Sequence, residues 1–338
     1  MFSGKMDSKC ENFRIISSAL IGLIFILSGC ESKLDLSNVR SAQEASTARY
    51  DNYQAAAKSN TTTIIIGNRG TVLNSNDKGL NWVRSALPGD TPTSFPTLVD
   101  VEFCADNHFI ALDADRKIWI SDLDGSNWIS KPISTQEEVL DLTCDPKGNI
   151  WVVGSFTLIL QSRDGGDTWQ DKSISEDAMF SRVQFVDSDN GFVTGEFGTV
   201  FSTSNGGETW EAQNYIPNEF YPMASLFISA DKGWVGGLQG IIFSTEDGGQ
   251  SWARQNTSTV APIYNIVGID GEIYALGEQG TILILSGSEW KPVDVDMGFG
   301  YLRAAIPLDE ENLLIAGGGG LLKVLANQKL KIKYTQIN

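Results

Sequence analysis

Short apolar runs of four to six residues recur along most of the chain, and polar or glycine-rich turns separate them. One clear unit consists of the runs 182–186, 191–194, 199–202 and 208–212. Runs of this length that contain valine, phenylalanine and threonine and are bounded by turn residues predict β-strands rather than helices. We therefore predict a series of four-stranded units.

A pair of glycines with two residues between them lies between the second and third run of most units. The pairs are at 67 and 70, 195 and 198, 237 and 240, 277 and 280, and 317 and 320. Glycine at a turn between two apolar runs is typical of a hairpin. A phosphate-binding loop would require a helix after the glycines, whereas each copy continues into a strand, which favours the hairpin.

A second motif, Ser/Thr-x-Asp/Asn-x-Gly-x-x-Trp, follows the third run. Full copies begin at Ser75, Ser162, Thr203 and Thr245, and partial copies end at Trp128 and Trp290. Asp and Ser side chains bind nearby backbone N–H groups in turns, and the tryptophan can pack between neighbouring sheets. We interpret this Asp box as a structural clasp. It lacks the bidentate glutamate of a helix-loop-helix calcium site, so we predict no metal.

The spacing of the boxes predicts the architecture. Successive box tryptophans are 46, 41, 41, 42 and 38 residues apart, and a period near 40 residues is typical of a β-propeller. Counting the glycine turns, with 113–116 and 154 in the two weak positions, gives seven units over 53–338. We predict an all-β, seven-bladed propeller with four-stranded antiparallel blades. Its first inner strand is 53–57, an alanine-rich stretch that also fits a helix, and its last strand is 329–334.

The N-terminus has the pattern of an export signal. Lys5, Lys9 and Arg14 precede the apolar run 15–27, which is too short to span a bilayer. The run ends in Leu27-Ser28-Gly29-Cys30, which resembles the bacterial lipobox.

That resemblance implies that 1–29 are a signal peptide and that Cys30 receives lipid, which anchors the protein to a membrane. Residues 30–52 are then predicted to be a flexible tether. We expect a lipid-anchored protein on the periplasmic side of a bacterial membrane, either inner or outer.

Charge and cysteine content narrow the possible partners. Without residues 1–29 the chain carries 22 basic and 40 acidic side chains, a net charge of −18. Such a surface repels nucleic acid, so we predict no nucleic-acid partner.

Cys104 and Cys144 stand at the same position of neighbouring units. They are either free thiols or an interblade disulfide, although equivalent positions on adjacent blades are usually too far apart to bond.

Few residues of the chain are candidates for catalysis. We therefore predict a protein without enzymatic activity or cofactor. His108 is the only histidine, so a zinc site with two imidazoles is excluded. A sialidase-like site needs three convergent arginines, but only Arg182 and Arg303 begin equivalent inner strands. The alternative function is a glycoside hydrolase, sialidase-like or inverting, that acts on extracellular glycans.

The combined pattern resembles the photosystem II stability/assembly factor family of Asp-box (BNR-type) propellers. The inner strand, the Gly-x-x-Gly turn and the box follow one another most faithfully at 183–210 and 225–252. The resemblance implies a propeller that helps to assemble a membrane complex, and family members use an arginine-rich patch that is absent here. We therefore expect a protein-interaction or assembly scaffold for an envelope membrane complex.

The connections that enter the inner strands are apolar and are predicted to emerge together around one end of the channel. Aromatic and methionine side chains suit protein recognition, although in propellers they also pack between blades. The candidate partner-binding residues are Phe95, Met179, Phe180, Arg182, Phe220, Tyr221, Met223, Tyr264, Phe299, Tyr301 and Arg303.

Overall fold

The computed structural model describes residues 46–91 and 93–326, and this part of the chain is built from β-strands. The strands follow in order in groups that alternate in direction. The groups are β1 (Tyr53–Lys58), β2 (Thr63–Gly67), β3 (Thr71–Ser75) and β4 (Val83–Ala86); β5 (Leu98–Phe103), β6 (Phe109–Asp113), β7 (Lys117–Ser121) and β8 (Trp128–Pro132); β9 (Val139–Cys144), β10 (Ile150–Gly154), β11 (Ile159–Ser162) and β12 (Gln170–Asp171); β13 (Phe180–Phe185), β14 (Gly191–Gly195), β15 (Val200–Thr203) and β16 (Glu211–Ala212); β17 (Pro222–Phe227), β18 (Gly233–Gly237), β19 (Ile242–Thr245) and β20 (Ala253–Thr257); β21 (Ile263–Ile269), β22 (Glu272–Gly277), β23 (Ile282–Ser286) and β24 (Glu289–Pro292); and β25 (Leu302–Pro307), β26 (Asn312–Gly317) and β27 (Leu322–Ala326). The prediction of four-stranded antiparallel sheets is confirmed.

Within each group, every strand pairs antiparallel with the next. The outer strands β20 and β24 also pair in parallel, which joins two groups into one eight-stranded sheet. Short 3-10 turns occupy three of the glycine loops, Glu196–Gly198, Leu238–Gly240 and Glu278–Gly280. No helix in the described ranges is long and apolar enough to cross a membrane. The predicted signal peptide, Cys30 and the strand 329–334 lie outside the described residues.

The second strand of each group lies in the core. All five residues of β2 and of β10 are buried, and both strands consist mainly of isoleucine and valine. The first and last groups share one cluster, in which Tyr53 and Ile65 pack with Leu314 and Ala316. This packing, together with the bridge between Asn52 and Gly318, brings the two ends of the described chain side by side.

The Asp box is a turn held by its own side chains. In the copy at 162–169, Ser162 Oγ donates to Asp164 Oδ1 and accepts from the Gly166 N–H at 2.7 Å. Asp164 in turn accepts from the N–H and the hydroxyl of Thr168. The boxes at Ser75, Thr203 and Thr245 repeat these bonds. These contacts confirm the clasp interpretation.

The box glycine also brings neighbouring sheets together. Gly166 adopts φ +85°, and a Cβ there would meet the Ile118 side chain of the preceding sheet. The corresponding Gly207 lies in the same way against the Trp151 ring. Glycine is therefore required at this position for its backbone conformation and for close approach.

A disulfide joins Cys104 and Cys144, whose Cα atoms are 5.5 Å apart. Cys104 directly follows the inner strand β5, and Cys144 is the last residue of the inner strand β9. The expectation that equivalent positions lie too far apart is thus wrong for this pair, because inner strands of a ring approach each other more closely than outer ones.

Residues 46–52, which the sequence assigned to the flexible tether, are packed against the sheets. Asp51 is buried and forms a two-pronged ion pair with Arg84, with N–O distances of 2.6 and 2.8 Å. It also accepts a bond from the Tyr53 hydroxyl. Burial raises the pKa of Asp51, but the hydrogen bonds from Arg84 and Ala48 outweigh it and lower the pKa overall. Packing against the sheets thus includes residues before the first strand.

Candidate interaction face and central channel

The loops divide between two ends of the strands. One end carries the glycine turns and the segments that lead into the inner strands, and we call it the glycine-turn face. The two kinds of loop bond to each other there: Gly70 N–H donates to Pro96 O, and Gly280 N–H to Gly300 O. The opposite end carries the Asp boxes and the first turn of each group, and we call it the box face.

The inner strands surround a central channel of about 250 Å³. In each one the pairing register shifts near the first residues, which marks a β-bulge. A bulge re-aims the side chains next to it. The extra residues at the bulges are Gln54, Val99, Leu140, Ser181, Met223, Tyr264 and Arg303.

The bulge separates the two arginines that the sequence treated as equivalent. Arg182 pairs with Thr194 just after the bulge of β13, where Ala304 stands in β25. Arg303 is itself the bulged residue, closer to the glycine-turn face. Arg182 and Arg303 therefore lie at different depths of the channel, which corrects the prediction that they hold equivalent positions.

Polar side chains in the channel bridge neighbouring inner strands. Asp100 accepts from the Leu142 N–H at 3.1 Å, and Asp141 accepts from the Val183 N–H at 2.8 Å. Arg182 binds Asp141 at 2.5 Å and donates from Nε to the Met223 carbonyl. These bonds run from sheet to sheet, so they tie together strands that share no backbone pairing.

Burial shifts the titration of this cluster. Burial, followed by repulsion from Asp141, raises the pKa of Asp100 to about 7. Burial and the two nearby aspartates raise the pKa of Glu102 well above its usual range. Burial also raises the pKa of Asp141, although Arg182 opposes the shift. Perturbed carboxyl groups occur in active sites but also in structural networks, and here burial is the main cause of the raised pKa values.

Arg303 and two tyrosines form the mouth of the channel at the glycine-turn face. Burial and the nearby Arg182 lower the pKa of Arg303. Tyr264 and Tyr301 meet edge to face, 6.2 Å between ring centroids, and Tyr264 donates to Glu278 at 2.9 Å. The mouth is thus a half-buried, aromatic and polar rim.

The exposed aromatic side chains of the described residues lie on the glycine-turn face. They are Tyr50, Phe95, Phe156, Phe197, Tyr215 and Phe299. Phe299 is 94% exposed and borders a groove of about 430 Å³ that Gly298, Gly318 and Gly319 also line. On the box face the exposed large apolar side chains are aliphatic, such as Leu80 and Leu123.

Two of these aromatics occupy strained backbone. Phe156 and Phe197 have φ of 52° and 58°, in the left-handed region that bulky L-residues rarely adopt. Arg69, Gln239 and Gln279 hold the corresponding place in other glycine turns with similar φ. Because other residue types adopt the same φ in the other turns, the backbone does not select phenylalanine, and the exposed Phe156 and Phe197 are candidate recognition residues.

The residues predicted to bind a partner divide into three groups. Phe95 and Phe299 are exposed on the glycine-turn face. Met179, Tyr221, Met223, Tyr264, Tyr301 and Arg303 are half-buried near the channel mouth.

The structure corrects the prediction that Phe180 and Phe220 bind a partner. Both are buried, and they pack edge-on against Phe201 and Phe243, respectively. Arg182 is a further correction, because it is held inside the channel by Asp141. Sequence reasoning missed Tyr50, Phe156, Phe197 and Tyr215. The exposed Phe156 and Phe197 could have been found as the aromatic residue inside a glycine turn.

His108 stands apart from the channel. Its Nδ1 lies 2.6 Å from the Ser121 carbonyl, next to an Asp-box turn. Among the described arginines, Arg182 and Arg303 line the channel, which is fewer than the three that a sialidase-like site needs.

Residues 175–286 match the family model of the photosynthesis system II assembly factor YCF48. Among solved structures, YCF48 bound to a D1 peptide has a TM-score of 0.68 at 15% identity over 84% of this chain and 94% of that one. YCF48 from Cyanidioschyzon merolae has a TM-score of 0.57 at 20% identity, covering 69% of this chain and 82% of that one. No curated protein matches the sequence.

An enzyme shares the fold. Virginiamycin B lyase from Staphylococcus aureus, a catalytically inactive histidine-to-alanine variant with quinupristin, has a TM-score of 0.71 at 12% identity over 82% of this chain and 96% of that one. This likeness shows the propeller fold alone. The family match and the two YCF48 structures confirm the resemblance found in the sequence, which is to the YCF48-like family of β-propellers.

Proposed function

We propose that this protein is a non-catalytic assembly scaffold that binds a protein partner of an envelope membrane complex. The observation that carries the proposal is the gathering of the exposed aromatic residues on the glycine-turn face. Aromatic side chains dominate binding energy at protein interfaces. The YCF48-like family match supports the same role, because that family consists of assembly factors.

We also propose a closed ring of seven blades, with the last one completed by 329–334. Seven inner strands contribute side chains to one channel, and the first and last groups share a core cluster. Closure removes exposed sheet edges.

The periplasmic location and the lipid on Cys30 belong to the proposal as well. The lipobox-like Leu27-Ser28-Gly29-Cys30 supports the anchor, and the disulfide between Cys104 and Cys144 suits an oxidising compartment.

A scaffold fits the channel better than the alternative, a glycoside hydrolase. The channel's buried aspartates are occupied by bonds to neighbouring strands, and Arg182 is paired with Asp141. Groups held in this way bridge sheets and are not free to act on a substrate.

The test is purification of the full-length lipoprotein from its own membranes in mild detergent. We expect one membrane protein complex to co-purify at constant stoichiometry with the wild type. The Cys30→Ser variant, which cannot be lipidated, should be released into the soluble fraction or remain as precursor. A pure protein without a partner that hydrolyses aryl glycosides would overturn the scaffold in favour of the enzyme.

A further inference from the structure

The place where the chain leaves the propeller suggests how the molecule is oriented. The Ser46 carbonyl accepts a bond from Arg84, and the Asp51 carbonyl accepts from the Gly320 N–H in the last glycine turn. Asn68, in the first glycine turn, binds the backbone of Tyr50 and Asn52. The N-terminal segment is therefore fixed to the glycine-turn face.

Few residues separate the start of the described chain from the cysteine that is predicted to carry the lipid. Ser46 lies sixteen residues after Cys30, and a fully extended chain of that length spans at most about 55 Å. A linker of that length is long enough for the glycine-turn face, where 46–52 are fixed, to reach the bilayer surface. The aromatic residues are on this same face.

The charges of this face favour one kind of occupant. Its exposed loops carry more acidic than basic side chains, among them Asp177, Glu219 and Asp296 against Arg49 and Arg69. An acidic surface is repelled by anionic lipid headgroups. It attracts protein segments that combine apolar anchors with lysine or arginine, since complementary charge speeds encounter and fixes register.

We infer that the glycine-turn face is turned towards the membrane and receives an apolar, net basic segment that a membrane protein exposes at the bilayer surface. This inference rests on the proposed function and adds the face and the chemistry of the partner. Phe197 and Phe299 act as anchors, and the surrounding carboxylates provide the complementary charge.

The experiment uses a photo-crosslinking phenylalanine analogue in the full-length lipoprotein in its native envelope. Positions 197 and 299 probe the glycine-turn face, and positions 80 and 123, also exposed and apolar, are the matched controls on the box face. We expect protein adducts from 197 and 299, on a segment with net positive charge near a membrane span, and at least a tenfold lower yield from the controls.

A charge test separates specific docking from chance proximity. Asp177 and Glu219 lie in the two segments that bond to the turn of Phe197, so Asp177→Asn with Glu219→Gln should lower the crosslink yield from 197 by roughly threefold or more at low salt, as rim charges affect association. Glu310→Gln with Glu311→Gln on the box face should leave the yield unchanged.

Each other result overturns the inference. Equal or greater yield from 80 and 123 means that the partner binds the box face, and the scaffold function then stands without this orientation. Adducts from 299 to lipid alone mean that the face rests on the bilayer itself. If 299 gives no adduct and no protein co-purifies, both the inference and the proposed function fail.

Discussion

The box face and the glycine-turn face are two ends of the same strands, yet they use their side chains in opposite ways. On the box face the same residues recur in the same bonds, as in Ser162-Asp164-Gly166 and Thr245-Asp247-Gly249. On the glycine-turn face the backbone recurs but the side chain at its left-handed position changes, from Arg69 to Phe197 and Gln279. In a repeat protein, residues that recur hold the fold together, whereas residues that change on a constant backbone are available for recognition.

The largest loss of stability should come from a change in the channel, where the side chains also differ from sheet to sheet but are buried. Arg182→Ala leaves Asp141 charged and unpaired, which costs roughly 3–5 kcal/mol for a broken buried ion pair. The control is Arg163→Ala, which breaks an exposed pair with Glu208 and should cost below about 1 kcal/mol. Chemical denaturation of both variants measures the difference. Equal losses would show that the channel network does not hold the inner strands.

The contributions of the channel and of the box face to stability should also depend on pH in opposite directions. The pKa of Asp100 is raised from 3.8 to about 7, so its contribution to stability is complete below pH 3.8 and lost as pH rises through about 7. The pKa of Asp164 is lowered to about 2 by the hydroxyl and N–H of Thr168. Its contribution is present above pH 3.8 and lost as pH falls towards 2.

Asp100→Asn should therefore flatten the fall in unfolding free energy between about pH 4 and pH 7, whereas Asp164→Asn should change only the acid side of the curve. Denaturation at a series of pH values checks both. If both variants instead shifted the free energy of unfolding by the same amount at every pH, the pKa values of Asp100 and Asp164 would not be displaced in opposite directions.

Much of the fold could be predicted from the sequence because it repeats. The box and the glycine pairs marked the turns, and even the alanine-rich 53–57 is a strand, β1, because it pairs with β2 and buries Tyr53 and Ala57. The depth of Arg182 and Arg303 could not be predicted, since a bulge shifts register by one residue without any change in the hydrophobic pattern. The same holds for Phe180, which is buried although its neighbour Met179 reaches the face.

The sequence placed its candidate partner-binding residues at the end of the strands where the exposed aromatic residues lie, but it named only some of those aromatics. Aromatics in the entering segments, such as Phe95 and Phe299, were visible as apolar interruptions of polar loops. Phe156 and Phe197 stand inside glycine turns, where the motif was interpreted only as a hairpin, and the structure shows that both are exposed. The disulfide likewise depends on the convergence of β5 and β9, a three-dimensional property.

A smaller effect is expected on the box face. Asp164→Ala removes the acceptor for two bonds from Thr168 and should lower the melting temperature by a small but measurable amount. Asp177→Ala, an exposed acid on the glycine-turn face, should change stability by no more than about 0.5 kcal/mol. Thermal denaturation distinguishes them. A partner-binding defect in Asp164→Ala with unchanged melting would show that the box takes part in function, against the comparison drawn above.

The smallest effect on stability should come from the aromatics that we assign to recognition. Phe197→Ser with Phe299→Ser should change the free energy of unfolding by no more than about 0.5 kcal/mol for each substitution, because the Phe299 side chain is 94% exposed and that of Phe197 is 55% exposed. Replacing Phe197 could even relieve its left-handed backbone, since smaller residues tolerate that region better. Phe180 is the first residue of β13 and is fully buried, so Phe180→Ala should instead cost about 3–5 kcal/mol. Denaturation of the three proteins side by side is sufficient. If the double variant loses as much stability as Phe180→Ala, the exposed rings belong to the core, and the glycine-turn face would be structural like the box face.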